Sequence, residues 1–355
     1  MSQVKHQKLH VVTRLPTLFA LTTLSLIALV MSSGCLNRKA SGQSESVGPI
    51  RQLILDRRNP KKSEKSIPSG LSFHTIMHNG EKRTYYLSVP QGSMSSRPLP
   101  LVLVFHGGHA NGEKMAEITQ MHLLGMRAGF AVAYPEAITT DRVWNDGRST
   151  TASATDDIAF VRALIDQLVK QHNIDERRIY ATGASNGGMF SLRIGCDLSD
   201  RIAAIAPVVA NMPVDLITNC KPRRPISTMI FNGTRDSLMP FTGGEVAGLK
   251  ILGRGKGDVV SADATVSFWR KINSCTSTPT LEQLPDRSPG DGTRVTEFRW
   301  SPCWGETEVI HLVVEGGGHT WPGSSATPTL RKSGVTSQDI SATKLIWEFF
   351  KRHVL

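Results

Sequence analysis

The 355-residue sequence has few aromatic residues (6%) and few charged residues (20%), and it has no long, pure apolar run. Its main apolar segment, 15–31, is diluted by Pro16 and by Thr and Ser residues, whereas a bilayer-spanning helix needs about 20 mainly apolar residues. This excludes a polytopic membrane protein. The ordinary Gly and Pro totals exclude collagen, and the 39% hydrophobic content excludes wholesale disorder.

Acidic residues are too few to balance the basic ones, since 30 Asp and Glu stand against 41 Lys and Arg. The excess lies at the N-terminus. Residues 1–66 hold 11 basic and 3 acidic residues, whereas residues 67–355 hold 30 and 27. Because the part of the chain that is large enough to fold is nearly neutral, we expect no nucleic-acid partner.

The N-terminus has the three regions of a secretory signal peptide. Three basic residues lie in the first 14 positions, the apolar segment 15–31 follows, and small residues occupy 32–34. We therefore predict a lipoprotein-type signal peptide over 1–34 and an exported protein, located outside the cell or in the cell envelope. Residues 35–66 are polar and basic and cannot bury enough apolar surface to offset their ordering entropy, which predicts a disordered tether.

Cys35 directly follows the small residues, and the Gly34-Cys35 ending resembles a bacterial lipobox. In that motif the cysteine is lipidated and becomes the mature N-terminus. Ser32 departs from the pattern, which usually has an apolar residue there, and ordinary cleavage near Gly34 is the alternative. We expect a lipid on Cys35 and contact with a membrane only through that anchor.

Only five cysteines are present, and no Cys-x-x-Cys or nearby Cys/His pair suggests a metal site. An even set of four remains after Cys35, which in an exported chain suggests two disulfides with three possible connectivities. Pairing between cysteines that are neighbours in the sequence is favoured, and it would join Cys196 to Cys220 and Cys275 to Cys303.

Strand and helix patterns alternate from residue 67 onward, which is typical of an α/β fold with a mostly parallel, doubly wound sheet. Continuous apolar runs such as Leu101–Phe105 predict strands buried on both faces. Predicted strands cover 83–89, 101–105, 130–134, 178–182, 202–209, 228–232 and 309–314, and predicted helices begin at 157, near 189 and at 343. Without a repeat or second linker, we predict one catalytic domain over 67–355.

The strongest local motif is Gly183-Ala184-Ser185-Asn186-Gly187, placed between a predicted strand and a predicted helix. A Gly-x-Ser-x-Gly in that position is the nucleophile elbow of α/β-hydrolases. The glycines are needed because the serine occupies a tight, strained turn. The free N–H groups of the following helix then face the developing oxyanion.

A nucleophilic serine needs a base and a carboxylate that orients the base. In this fold they follow in the order Ser, acid, His, each just after a strand. Asp236 and His319 satisfy order and placement, whereas His311 lies inside a predicted strand. Asp156 and Asp157 are more simply explained as helix-capping residues.

The oxyanion hole needs two N–H donors. We expect one from the backbone of Asn186 and the other from the loop after the strand that ends at Phe105, where Gly107 and Gly108 allow close approach to a substrate. His106 could be a base or a metal ligand, but a supporting role in the loop is the preferred interpretation.

The segments HGGHANG, GASNGGM, NGTRDSLMPFTGG and GGGHTWPG together resemble the exported polyhydroxybutyrate depolymerase and feruloyl/acetylxylan esterase family of α/β-hydrolases. The resemblance covers about Tyr85 to the C-terminus. It implies that Ser185, Asp236 and His319 form the triad and that Gly107, Gly108 and Asn186 shape the oxyanion hole. It further implies that the cysteine pairs staple loops near the site and that Trp144 and Trp321 line the substrate pocket, although both could equally be core tryptophans.

These observations predict a serine esterase without metal or organic cofactor. Its expected substrates are hydroxyalkanoate oligomers, or feruloyl and acetyl groups on plant polysaccharide. The alternatives are a serine peptidase on the same fold and a catalytically inactive hydrolase-like binding protein; an intact triad in the correct order argues against the inactive protein.

Overall fold

The computed structural model describes residues 68–90, 97–152, 155–247, 257–326 and 333–355. The predicted signal peptide, the tether and Cys35 lie outside the described residues. The described residues form one compact unit. None of the helices in the described ranges combines the length and the apolar character that a bilayer crossing requires.

A ten-stranded mixed sheet organises this unit. Its strands are β1 (Ser72–His78), β2 (Glu81–Ser88), β3 (Leu99–Phe105), β4 (Ala131–Pro135), β5 (Ile174–Ala184), β6 (Ala204–Val208), β7 (Ser227–Gly233), β10 (Thr280–Gln283), β11 (Arg294–Trp300) and β12 (Val309–Glu315). Two short strands, β8 (Gly244–Glu245) and β9 (Asp258–Val259), form a separate ladder.

The strand order is β1-β2-β4-β3-β5-β6-β7-β12-β11-β10. The six central strands, from β4 to β12, are parallel, and antiparallel strands extend the sheet at both edges. Because parallel neighbours end at the same edge, the loops after β3, β5, β7 and β12 meet there.

Helices cover both faces of the sheet. They are α1 (Gly112–Thr119), α2 (Met121–Ala128), α3 (Asp157–His172), α4 (Asn186–Asp197), α5 (Val214–Ile217), α6 (Ala262–Ile272) and α7 (Ala342–Phe350). Along β3, Leu101, Leu103 and Phe105 belong to the apolar core beneath α3, α4 and α6, whereas Val102 and Val104 belong to the core beneath α1, α2 and α7. This alternation confirms the predicted doubly wound α/β fold.

Disulfides join Cys196 to Cys220 and Cys275 to Cys303, the pairs of sequence neighbours. The first bridge joins the last turn of α4 to the segment after α5, and the second joins the segment after α6 to the segment before β12. Cys196 lies about 16 Å along α4 from Ser185, at 1.5 Å per residue. Cys303 precedes β12, on the edge of the sheet opposite to the one where β12 ends.

Candidate active site

Ser185 lies in a strained turn between β5 and α4. Its φ of 57° and ψ of −123° fall in a region that residues with a Cβ rarely adopt. Its N–H donates to the carbonyl of Val208 at 3.0 Å, which ties the turn to the neighbouring strand. A Cβ at Gly183 would lie 2.6 Å from the carbonyl oxygen of Phe105, and one at Gly187 would collide with the same oxygen. The glycines are therefore required where the turn crosses β3.

Asp236 and His319 meet at the carboxyl edge of the sheet, after the adjacent parallel strands β7 and β12. His319 Nδ1 lies 2.7 Å from Asp236 Oδ2. The other carboxylate oxygen, Oδ1, accepts the backbone N–H groups of Leu238 at 2.9 Å and Met239 at 2.8 Å. With both oxygens engaged as acceptors, Nδ1 carries the proton and Nε2 is left as a proton acceptor.

The backbone of His319 is held by the segment 333–335, which the sequence did not identify. The N–H of Gly318 donates to the carbonyl of Val335 at 2.9 Å, and that of His319 donates to the carbonyl of Ser333 at 2.5 Å. A Cβ at Gly318 would collide with the Ser333 carbonyl. The run of three glycines before His319 was the only signal of this close approach.

The loop after β3 lies against the Ser185 turn. A Cβ at Gly107 would lie 3.5 Å from the Ser185 Cβ, and one at Gly108 would lie 3.9 Å from the Asn186 Cβ. Asn186 is the first residue of α4, where N–H groups have no carbonyl partner in a preceding turn. The predicted oxyanion residues are therefore adjacent to Ser185.

His106 supports this loop. Its buried ring accepts the N–H of Ala137 at Nε2, at 3.1 Å, so Nδ1 carries the proton and donates to the carbonyl of Gly107 at 2.8 Å. Burial lowers the pKa of His106 to about 4, which keeps the ring neutral. One ring nitrogen is thus bound within the loop after β3 and the other to the segment after β4, which is a supporting role of the kind preferred from the sequence.

Trp144 and Trp321 are both buried, with 0% and 3% of their surface exposed. The Trp144 ring stacks on Phe190, and its indole N–H donates to the carbonyl of His106 at 3.1 Å. The Trp321 indole N–H donates to Thr343 Oγ1 at 3.0 Å, which ties the loop that carries His319 to α7. Both therefore pack as core tryptophans, the alternative that the sequence left open.

The competing acids and histidine have other partners. Asp156 caps α3 by accepting the N–H of Ala159, and Asp157 binds Arg83 at 2.8 Å in a buried ion pair. His311 lies within β12. Among the residues that the structure describes, no group of three or more His, Cys, Asp and Glu side chains could hold a metal ion.

A polar cluster around Asp146, in the loop between β4 and α3, was not foreseen from the sequence. Asp146 is completely buried, and its carboxylate accepts hydrogen bonds from Arg148, Thr151 and the side chain of Asn186. In the sequence, Asp146 lies in the segment Trp144-Asn145-Asp146-Gly147, which is a further part of the family resemblance but gives Asp146 no role.

Comparisons with known proteins agree with this geometry. Residues 83–209 match the family described as esterase PHB depolymerase. A putative esterase, NocK, from Nocardia uniformis subsp. tsuyamanensis is 26% identical over 339 residues, which is 92% of this chain and 96% of NocK. Feruloyl esterase B of Piromyces equi is 29% identical over 242 residues, which is 67% of this chain but only 42% of that enzyme.

A bifunctional acetylxylan esterase/xylanase, XynS20E, of Neocallimastix patriciarum is 27% identical over 222 residues, covering 62% of this chain and 29% of the relative. The solved structure of a thermostable esterase superposes with a TM-score of 0.50 and 16% identity, covering 81% of this chain and 64% of that one, which shows a shared fold. The chain is thus an esterase-family hydrolase with an α/β-hydrolase fold, and its residues 83–209 match the esterase PHB depolymerase family.

Proposed function

We propose that Ser185, Asp236 and His319 form a catalytic triad that hydrolyses carboxylic esters through an acyl-enzyme. One observation carries the proposal. A serine in a strained strand-to-helix turn shares the carboxyl edge of the sheet with a histidine whose Nδ1 lies 2.7 Å from a buried carboxylate. That combination gives a nucleophile, a base with a free Nε2 and a group that fixes the tautomer of the base.

In the proposed mechanism, His319 Nε2 takes the Ser185 proton as the serine oxygen attacks the ester carbonyl. Asp236 stabilises the imidazolium, and His319 then protonates the departing alcohol. Water, activated by the same histidine, hydrolyses the acyl-enzyme and regenerates Ser185. The N–H of Asn186 and an N–H of the Gly107-Gly108 loop stabilise the oxyanion in both steps.

The proposed substrates are feruloyl and acetyl esters of saccharides, or hydroxyalkanoate oligomers. The relatives named for feruloyl and acetylxylan ester hydrolysis support the first group, and the matched family description supports the second. Apolar side chains are exposed at this edge of the sheet: Ile138 follows β4, Val214 begins α5 after β6, and the carbonyl of Val335 accepts the N–H of Gly318. They offer apolar surface for an acyl or aryl group.

Substitution Ser185→Ala tests the triad. We expect kcat on an aryl acetate to fall by about 10⁴-fold or more, and covalent labelling by a fluorophosphonate to disappear. Ser191→Ala is the matched control. Ser191 lies on α4, the helix that follows Ser185, and its hydroxyl donates to the carbonyl of Gly187, so the loss of this hydroxyl should leave kcat unchanged.

A Ser185→Ala variant that kept a tenth of the wild-type kcat would remove Ser185 as nucleophile. A wild-type protein that neither turned over esters nor reacted with the fluorophosphonate would favour the inactive binding protein. Faster hydrolysis of amides than of matched esters would favour the peptidase.

Export and lipid attachment are the remaining parts of this proposal. The two disulfides support an oxidising compartment, and the signal-like sequence before Cys35 supports a lipid anchor. Substitution Cys35→Ser should move the protein from the membrane fraction to a released or unprocessed form. A mature wild-type N-terminus without lipid would reduce the proposal to secretion.

A further inference from the structure

The loop after β4 contains a buried ion pair whose charges have no role in the proposed proton transfers. Asp146 and Arg148 are 0% and 4% exposed. Arg148 Nη2 lies 2.6 Å from Asp146 Oδ2, and Arg148 Nε lies 3.1 Å from both carboxylate oxygens. Such pairs add little stability, because the cost of removing two charges from water offsets their attraction. A role in conformational specificity is therefore the better explanation.

The pair holds the side chain of Asn186, the residue that follows the nucleophile. Asn186 Nδ2 donates to Asp146 Oδ2 at 2.7 Å and to the carbonyl of Trp144 at 3.0 Å. Asn186 Oδ1 accepts the N–H of Trp144 at 2.8 Å. Both protons of the amide and its oxygen are thus engaged by one loop, which prevents the side chain from rotating.

The same loop supports the other half of the proposed oxyanion hole. The indole N–H of Trp144 donates to the carbonyl of His106, directly before Gly107. A Cβ at Gly108 would lie 3.6 Å from Val143 Cγ2, so Val143 packs beneath that glycine. The loop therefore contacts both backbone segments whose N–H groups would face the oxyanion.

We propose that the Asp146–Arg148 pair is the positioning element of the oxyanion hole. It fixes the loop of residues 143–148, and the loop sets the spacing between the N–H of Asn186 and the N–H groups of the Gly107-Gly108 segment. Asp146 touches no substrate and transfers no proton. Its contribution to the rate is geometric, through donors that must lie within hydrogen-bond distance of the developing oxyanion.

This inference rests on the proposed function and is tested with Asp146→Asn, which keeps the side-chain size and removes the charge. Misplacing a catalytic group by about 1 Å costs on the order of 100-fold in rate. We expect kcat/KM for an aryl acetate to fall about 10- to 100-fold. Affinity for a trifluoromethyl ketone, which becomes an oxyanion when it adds to Ser185, should fall in parallel. Affinity for the corresponding alcohol, which is uncharged and cannot form an oxyanion, should stay within about threefold of the wild-type value.

Glu308→Gln is the matched control. Glu308 is a buried carboxylate bound by Arg299 and Arg352, but it precedes β12, whose seven residues separate it by about 23 Å from the loop that carries His319. We expect this variant to lower the unfolding temperature without changing the ratio of ketone to alcohol affinity.

Thr151→Val keeps the test decisive if Asp146→Asn does not fold. It removes only the hydroxyl that donates to Asp146 Oδ1 at 2.7 Å, and it should lower the ketone affinity by a smaller factor in the same direction. The inference is overturned if the folded variants lose affinity for the ketone and for the alcohol by the same factor. It is also overturned if their kcat/KM falls by no more than that of Glu308→Gln. The proposed function fails separately, if Ser185→Ala retains activity.

Discussion

Substitution Asp236→Asn offers a sharp test of the proposed triad, because the structure fixes how the new amide would be oriented. Asp236 Oδ1 accepts two backbone N–H groups, from Leu238 and Met239. In the variant only the amide oxygen can take that position, since an amide nitrogen would place its hydrogens against two donors. The amide NH₂ must then face His319 Nδ1.

That orientation reverses the tautomer of His319. Facing a donor, Nδ1 gives up its proton and becomes an acceptor, so Nε2 carries the proton and can no longer accept one from Ser185. Asparagine has nearly the same size as aspartate, and its three hydrogen bonds are retained. We therefore expect little change in folding but a loss of kcat of about 10⁴-fold near pH 7, which corresponds to about 5 kcal/mol in activation free energy.

The assay compares kcat on an aryl acetate with the thermal unfolding midpoint. Asp156→Asn is the control, because asparagine caps a helix as well as aspartate and the Asp156 side chain accepts the N–H of Ala159 in its cap. A folded Asp236→Asn variant that kept more than a tenth of the wild-type kcat would refute the tautomer argument. Asp157 could not then take over without leaving its ion pair with Arg83.

Two further predictions concern stability. Replacing Cys275 and Cys303 by serine should lower the free energy of unfolding by about 3.5 kcal/mol, because a bridge across 28 residues restricts the unfolded chain. The variant should keep the wild-type kcat. An unchanged denaturant midpoint would contradict the prediction. Acidification from pH 6.5 to 4 should also destabilise the protein. Burial lowers the pKa of both His106 and His311 to about 4, so over that range the unfolded chain binds protons that the folded chain does not. Substitution His311→Gln keeps a donor toward Asn232 and should make the thermal unfolding midpoint less dependent on pH between 7 and 4.5. If the midpoint changed with pH as steeply as in the wild type, His311 would not contribute to the loss of stability in acid.

Helices α1, α2, α5 and α6, the edge strands β1, β10 and β11 and the short strands β8 and β9 were not predicted from the sequence. Helices α1 and α2 have eight residues each, too few for an apolar period to stand out. Strand β10 is exposed throughout and therefore lacks the alternation that marks a half-buried strand. The closing helix, which the sequence pattern predicts over Thr343 to His353, ends at Phe350, and the ring of His353 binds Glu308.

The sequence by itself determined the features that depend on neighbouring residues. The buried parallel strands are visible as continuous apolar runs, and the Ser185 turn is visible as glycines at fixed positions between a strand and a helix. The order of Ser185, Asp236 and His319 followed from the strands that precede them. These are local requirements of backbone geometry, and the residues that satisfy them are close together in the chain.

Only the tertiary structure decided which side chains meet. His319 and Asp236 are 83 positions apart, and they come together because β7 and β12 pair in the sheet. The burial of Trp144 and the bond between Asp146 and Asn186 likewise depend on how the loop after β4 packs on α4. No local pattern specifies such contacts, because a polar or aromatic residue in a loop has the same sequence signature whether it faces substrate or fills the core.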